Sequence, residues 1–243
     1  MVVAMAEISK TADQALAVLL AVGEGQPCTP AQLARDLRMN RTVVHRLLAT
    51  LHQRGFVIRQ DDGYAPGVAL LRLAERVQPD LATHGRTAAA KLRESIGETV
   101  VMHVRDGDDA VVLLQAVSDE HVVRVEHKIG SRHSLLAGAS GRAILAFLDP
   151  KAVERITGQA EDPETARRQL EGVRHVGYAL SHDELQLGVH GIAVPVLDGS
   201  EQALASLAVL VPTSRTGSVT QHIGALLEAG AQLSAELGRV SSP

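Results

Sequence analysis

Between Thr29 and Tyr64 the chain reads TPAQLARDLRMNRTVVHRLLATLHQRGFVIRQDDGY, a spacing that allows little besides two short helices across a tight turn followed by a β-hairpin. That arrangement is a winged helix-turn-helix. Thr29 opens the first helix with Pro30 in its first turn and Gln32 three residues after the cap, so the Thr and Gln side chains can satisfy each other's orphan amides. Leu33, Ala34 and Leu37 share one face, and Arg38-Met39-Asn40 forms the turn, with Asn40 placed to cap the next helix. On that second helix Val44, Leu47, Leu48 and Leu51 recur at i, i+3, i+4 and i+7 and predict the buried stripe. Gly55 ends it, Phe56 to Gln60 is β-prone, Asp61-Asp62-Gly63 is a turn, and Tyr64-Ala65 can pair back.

The opposite face of the second helix is left to polar side chains. Arg41, Thr42, His45 and Arg46 occupy its first turn and a half, the part of a recognition helix that reaches base edges and flanking phosphates in the major groove. Arg59 falls on the wing, positioned for a phosphate or minor-groove contact. Surface arginines are usually only solvated, so charge decides the matter. From Cys28 to Gln60 six arginines face the single acid Asp36, in a chain whose formal net charge is -4. A basic patch on an acidic protein is the electrostatic footprint of a polyanion. Aromatic residues make up only 2% of the chain, too few for the stacking platforms that single strands need, so double-stranded DNA is the expected partner.

At 243 residues the chain can hold two domains and an unstapled core. Cys28 is the one cysteine, which excludes an internal disulfide and a thiolate metal cluster. No secretory pattern begins the chain and no long apolar run occurs, so a cytoplasmic protein without membrane association is expected. Before the helix-turn-helix, Ala12, Ala15, Leu16, Leu19 and Leu20 predict one apolar face on a helix from Thr11 to Val22. After it, Gly67 to Val77 is apolar on more than one face and reads as a linker helix closed by Pro79. The excess predicts burial against a second copy of the chain, since helix-turn-helix proteins usually read pseudo-twofold operators. The expected organisation is residues 1–66 as the winged helix, 67–79 as the linker and 80–243 as a second domain.

From residue 78 onward 15 basic residues face 21 acidic ones, so this part is expected to add little DNA affinity. The pattern predicts a helix over Asp80–Ile96, strands over Val100–Arg105, Ala110–Ala116 and Val122–Ile129, and helices over Ser140–Phe147 and around Thr165–Val173. Strands over Gly191–Leu197 and Ala203–Val211 and a helix over Val219–Leu237 complete it. The fold class is α+β, a sheet with helices packed on it and room for a small ligand. Small residues from Leu136 to Arg142 lead into a helix start, where backbone amides favour a carboxylate or phosphate; close packing of that helix on the sheet explains them equally well. Arg142 stands where a Gly-x-Ser-x-Gly elbow around Ser140 would need glycine, which removes the serine-hydrolase reading. His103, His121, His127 and His133 lack ligand spacing, so no metal is expected. Asp183-Glu184 reads as a solvated turn, and no cofactor is called for.

Taken together, TPAQLARDL, RTVVHRLLATLHQRGFV, DGYAPGVALLRLA, IGSRHSLLAGASGRAILAFL, GYALSHDELQLGVHGIAVPVLD and ALASLAVLVPTSR resemble the IclR family of bacterial transcriptional regulators over nearly the whole chain. The resemblance implies a winged helix that binds operator DNA as a dimer or dimer of dimers, and a GAF-like domain that binds a small effector. It further implies an effector cavity lined by Val122, Val125, Ala139, Ser140, Ser181, Val189, Gly191, Ala208 and Leu210. Members that bind very small polar acids look to have an acid, a cysteine and two serines where this chain has Ser181, Gly191, Ala208 and Leu210. The expected cavity is therefore roomier near Gly191 and less polar, suited to an aromatic acid or derivative with its polar end at Ala139-Ser140. Repression is the expected mode of action, without catalysis. The competing reading is an enzyme or ligand-binding protein whose winged helix serves only for dimerisation or interaction, but no catalytic constellation has usable spacing.

Overall fold

A computed structural model describes residues 8–74, 76 and 79–240. It divides into two compact units, Met1–Gln78 and Pro79–Pro243. The first contains α1 (Lys10–Val22), α2 (Pro30–Asp36), α3 (Arg41–Gln53), the hairpin β1 (Val57–Gln60) and β2 (Gly63–Pro66), and α4 (Ala69–Ala74). Thr29 and Gln32 form the reciprocal cap, the Gln32 amide donating to Thr29 Oγ1 at 3.2 Å and Gln32 Oε1 accepting from the Thr29 amide at 2.8 Å. Asn40 accepts from the Thr42 amide at 2.8 Å, which starts α3 at Arg41. Val44, Leu47, Leu48 and Leu51 are buried with Leu33, Val57 and Tyr64. The chain then folds back so closely that a Cβ on Gly67 would lie 2.2 Å from the Gly55 carbonyl oxygen, leaving space for glycine alone.

The face of α1 differs from the expected one. Val18 and Val22 are its buried residues, with Ala15 and Leu19 packed beside them, whereas Leu16 is 59% and Leu20 71% exposed. Residues 15, 18, 19 and 22 make the i, i+3, i+4, i+7 stripe; the expected stripe was rotated because it left out Val18. The expected linker helix is short, Ala69–Ala74. Residues 75, 77 and 78 of that expectation lie outside the described residues, and Pro79 begins the next helix rather than only closing this one.

The second unit is α+β. It runs α5 (Pro79–Ile96), β3 (Thr99–Asp106), β4 (Asp109–Ala116), β5 (Arg132–Ser134), α6 (Gly138–Leu145), α7 (Pro150–Thr157) and α8 (Pro163–Val176). It continues with β6 (Ala179–His182), β7 (Val189–Leu197), β8 (Ala203–Pro212), a 3-10 segment over Thr213–His222 and α9 (Ile223–Val240). The six strands form one antiparallel sheet in the order β5-β4-β3-β8-β7-β6. Side chains alternate across it. Val100, Met102, Leu207, Val209 and Val211 join Leu81, Leu92, Leu226 and Leu233 in one core, which places α5 and α9 on that face. Ala110, Ala193 and Ala208 join Ala139, Ala143 and Ile144 in the other, which places α6 there with α7 and α8 behind it. Both faces are covered, and so β7 and β8 read as continuous apolar runs rather than alternating ones.

The expected strand over Val122–Ile129 is irregular chain. Side chains take two of its backbone groups: Arg215 Nη1 donates to the Val123 carbonyl at 2.9 Å, and the His127 amide donates to Gln115 Oε1 at 3.0 Å. The edge of β4 is filled instead by Arg132–Ser134. The helix α7 and the strand β6 were not expected, although Asp149 caps α7 with Pro150 following, a legible signal. The expected final helix over Val219–Leu237 divides at His222 into the 3-10 segment and α9.

Candidate functional site

The first unit presents one polar helix face. Arg41, Thr42, His45 and Arg46 are all exposed on α3, on the side turned away from the buried stripe of Val44, Leu47, Leu48 and Leu51, Thr42 and Arg46 nearly opposite it and Arg41 and His45 at its flank. Capping by Asn40 holds the first turn of α3 in register, which is the turn that carries Arg41 and Thr42. On the wing Arg59 is exposed and steadied by Tyr64: its Nε donates to the phenolic oxygen at 3.3 Å, and its guanidinium lies 5.7 Å from the ring centroid. A planar cation so placed keeps free N–H groups for a phosphate.

The second unit closes a small cleft at one end of the sheet. Ser181 pairs with Gly191 across β6 and β7, Gly191 pairs with Leu210 on β8, and Ala193 pairs with Ala208. Val125, Leu210, Val101 and Val112 form a buried apolar cluster with Val189 against it. Ala139 approaches from α6, its Cβ 3.7 Å from where a Cβ on Gly191 would stand. The fold thus brings together Val125, Ala139, Ser181, Val189, Gly191, Ala208 and Leu210, with Ser140 buried beside them on α6. Val122 is a correction: it is 99% exposed and points away from these residues' buried cluster, since the irregular chain there has no strand alternation to turn it inward.

Two expectations about the cavity also change. A Cβ on Gly191 would lie 2.8 Å from Ser181 Oγ, so the space freed by glycine is taken by the neighbouring serine. The cleft lined by His127, Ser181, Glu184, Leu185, Gln186, Val189, Gly191 and Leu210 holds about 20 Å³, room for roughly one water. Nor is it apolar throughout, because His103, His127 and His133 gather at its side.

Glu184 is a side chain at this site that sequence reading missed. Ala137 at the N-cap of α6 has no side-chain acceptor, and Glu184 supplies one from 46 residues away, accepting from the Gly138 amide at 2.9 Å. Arg142 grips the same carboxylate with two bonds of 2.7 and 2.6 Å and donates to the Leu180 carbonyl at 2.6 Å. Burial would raise the Glu184 pKa, but the Arg142 guanidinium and the Gly138 amide outweigh it and hold the carboxyl below its ordinary value. The helix start that looked ready for a ligand's carboxylate therefore already carries one: Asp183-Glu184 is an exposed bend, as expected, but the Glu184 carboxylate turns back from it onto α6. The hint lay in Arg142, a cation inside an otherwise small-residue run. Because Arg142 is only 10% exposed and Glu184 34%, Arg142→Ala should cost about 2 kcal/mol, less than the ~3–5 kcal/mol of a fully buried pair. Urea unfolding of the two proteins measures it, and equal midpoints would refute it.

Two family models now match the chain: the IclR helix-turn-helix domain over residues 11–62 and the bacterial transcriptional regulator IclR C-terminal domain over residues 77–235. The chain belongs to the IclR family. It is an IclR-type transcriptional regulator, with the DNA-binding unit and the effector-binding unit at the positions just described. The HTH-type transcriptional regulator BhcR of Paracoccus denitrificans is 30% identical over 247 residues, covering 91% of this chain and 85% of the relative. The regulator KdgR of Escherichia coli is 26% identical, covering 91% and 90%. Among solved structures, an IclR homologue from Microbacterium hydrocarbonoxydans complexed with 4-hydroxybenzoate superposes with a TM-score of 0.81 over 96% of this chain and all of that one, at 21% identity, a likeness of fold. No helix among the described residues of this IclR protein is long and apolar enough to cross a membrane.

Proposed function

We propose that this regulator acts as a repressor, reading a two-fold operator with Arg41, Thr42, His45 and Arg46 in the major groove and Arg59 on a flanking phosphate, and that an aromatic acid or derivative is its effector. The observation that carries the DNA reading is the coincidence of a capped recognition helix with all four polar side chains exposed on one face. The buried valines beside the cleft, with Leu210 and Val189 lining it, support an aromatic ring, and the Microbacterium homologue with its bound 4-hydroxybenzoate supports the class. An acid seated against the start of α6 takes the place of Glu184 on the Gly138 amide. Effector binding changes operator affinity by as much as it prefers one state of the protein, typically ~1–3 kcal/mol.

The test is a mobility shift of duplex DNA from the intergenic region beside the protein's own gene, with excess nonspecific competitor and a panel of aromatic and aliphatic acids. A shift that an aromatic acid relieves is expected. Calorimetry that finds tight binding of glyoxylate or pyruvate and none of benzoate-like compounds would overturn the aromatic assignment. Self-association belongs to the same proposal, as a dimer or a dimer of dimers. Leu16, Leu20, Val68 and Leu71 are all more than half exposed in the first unit, apolar surface that a second copy can cover. Sedimentation at micromolar concentration should show a dimer or larger, and Leu71→Glu should shift it toward monomer; a monomeric parent protein would remove this part.

A further inference from the structure

Three histidines converge beside the cleft, and none of the contacts described so far uses their free nitrogens. His103 on β3 has its ring centroid 5.2 Å from that of His133 and 6.0 Å from that of His127. It is 1% exposed, and neither of its ring nitrogens has a hydrogen-bond partner. The same holds for Nε2 of His133 and for Oγ of Ser206, the residue paired with His103 on β8. His103 shares its sheet face with Val101, two residues away, and Ser206 shares its face with Ala208 and Leu210 of the cavity. The group also touches the cleft at its other edge: His127 lines it, and His133 Cε1 and Leu185 Cδ1 are 3.7 and 2.7 Å from where a Cβ on Gly138 would stand. Buried polar atoms without partners are uncommon and costly, and here they cluster next to a site that exists to take a ligand.

Their chemistry narrows what that ligand carries. Burial, followed by the neighbouring imidazoles, brings the His103 pKa down to about 3, and burial lowers His127 and His133 too. All three are neutral at neutral pH, each with one N–H donor and one acceptor. His133 Nδ1 lies 3.1 Å from the Ser134 carbonyl, which places its proton on Nδ1 and leaves Nε2 accepting. A carboxylate only accepts and so cannot pair with His133 Nε2, and an ammonium only donates and so cannot pair with the His103 N–H. A hydroxyl does both. Among the described residues no group of three His, Cys, Asp or Glu side chains is arranged to hold an ion, which sets the metal alternative behind the organic one. The adjoining Val101, Val112, Val125 and Leu210 suit a ring.

We propose that His103, His127 and His133 form the subsite that takes the hydroxyl of a hydroxyaromatic effector, which deepens the aromatic-effector reading and rests on it. Calorimetry on the full chain with 4-hydroxybenzoate, 3-hydroxybenzoate, benzoate and 4-methylbenzoate tests it. At least one hydroxy compound should bind about 10-fold or more tightly than the two that lack the group, because a site built to pair a hydroxyl rejects its absence strongly. In His103→Leu and His133→Leu that advantage should fall to within about two-fold while benzoate binding, the sign that the variants fold, is kept. His127→Ala, at a half-buried position, provides a variant that disturbs the core least. Equal affinity for all four compounds, or an advantage that survives in all three variants, overturns the subsite and leaves the aromatic reading standing. No binding by any of the four overturns both. Stoichiometric Zn²⁺ binding that His103→Leu abolishes would reassign the cluster to a metal.

Discussion

Arg46→Ala is expected to lose specific operator affinity by more than about 100-fold while the second unit keeps its effector affinity. A good bidentate contact between an arginine and a base is worth ~1–3 kcal/mol, and a dimer on a two-fold operator loses it twice. The Arg46 side chain is exposed on α3, and no side-chain bond among the described residues ties it to the fold, while its backbone carbonyl accepts from Thr50 Oγ1 at 3.0 Å. Fluorescence anisotropy with operator and with scrambled DNA separates the outcomes. Loss on operator alone assigns Arg46 to base reading, whereas equal loss on both assigns it to phosphate. Arg59→Ala should weaken all sequences alike and lower the salt slope by about 1. An Arg46→Ala protein that binds operator as its parent does would reject α3 as the reading helix.

Acidification is expected to destabilise the protein through His103 well before its carboxylates titrate. The folded pKa of about 3 lies below the unfolded value near 6.5, so the unfolded chain takes up the proton first. Stability from this group is complete above about pH 6.5 and declines as pH falls toward 3, at most by ~1.4 kcal/mol per pH unit. His127, His133 and His222 are lowered by burial and act in the same direction. Asp108, held at about 2 by its bonds to Arg155, and the lowered Glu184 and Asp198 lose their contributions only at more acid pH. Urea midpoints between about pH 5 and 6.5 therefore report the histidines. His103→Leu should flatten that slope by up to one proton, and an unchanged slope would show that His103 is hydrated in the folded protein.

The two halves of the molecule differ in how much of them could be read from residues alone. In the winged helix the determinants are neighbours in the chain. The Thr29–Gln32 cap, the Asn40 cap, the Val44–Leu51 stripe and the Asp61-Asp62-Gly63 turn each act over a few residues, and the structure repeats them at the expected positions. Even there α1 was rotated, because an all-apolar run such as LAVLLAV offers two stripes and only packing against α3 selects the one through Val18. In the second unit the motifs named Val125, Ala139, Ser181, Gly191 and Leu210 together, and the sheet and α6 bring these residues near one another. They could not show that Ser181 fills the space beside Gly191.

By itself the sequence determined the class of fold, the winged helix-turn-helix and the family, since periodicity, capping and charge are local or additive properties. Only the tertiary structure decided that Glu184 caps α6 through Arg142, 42 residues distant, and that His103, His127 and His133 meet. Those histidines have no common spacing because they come from β3, the loop after β4 and β5, and the antiparallel sheet alone sets their separation. A carboxylate whose solvation is given up for a guanidinium, and an imidazole kept neutral by burial, are consequences of where the chain excludes water, which no stretch of it specifies in isolation.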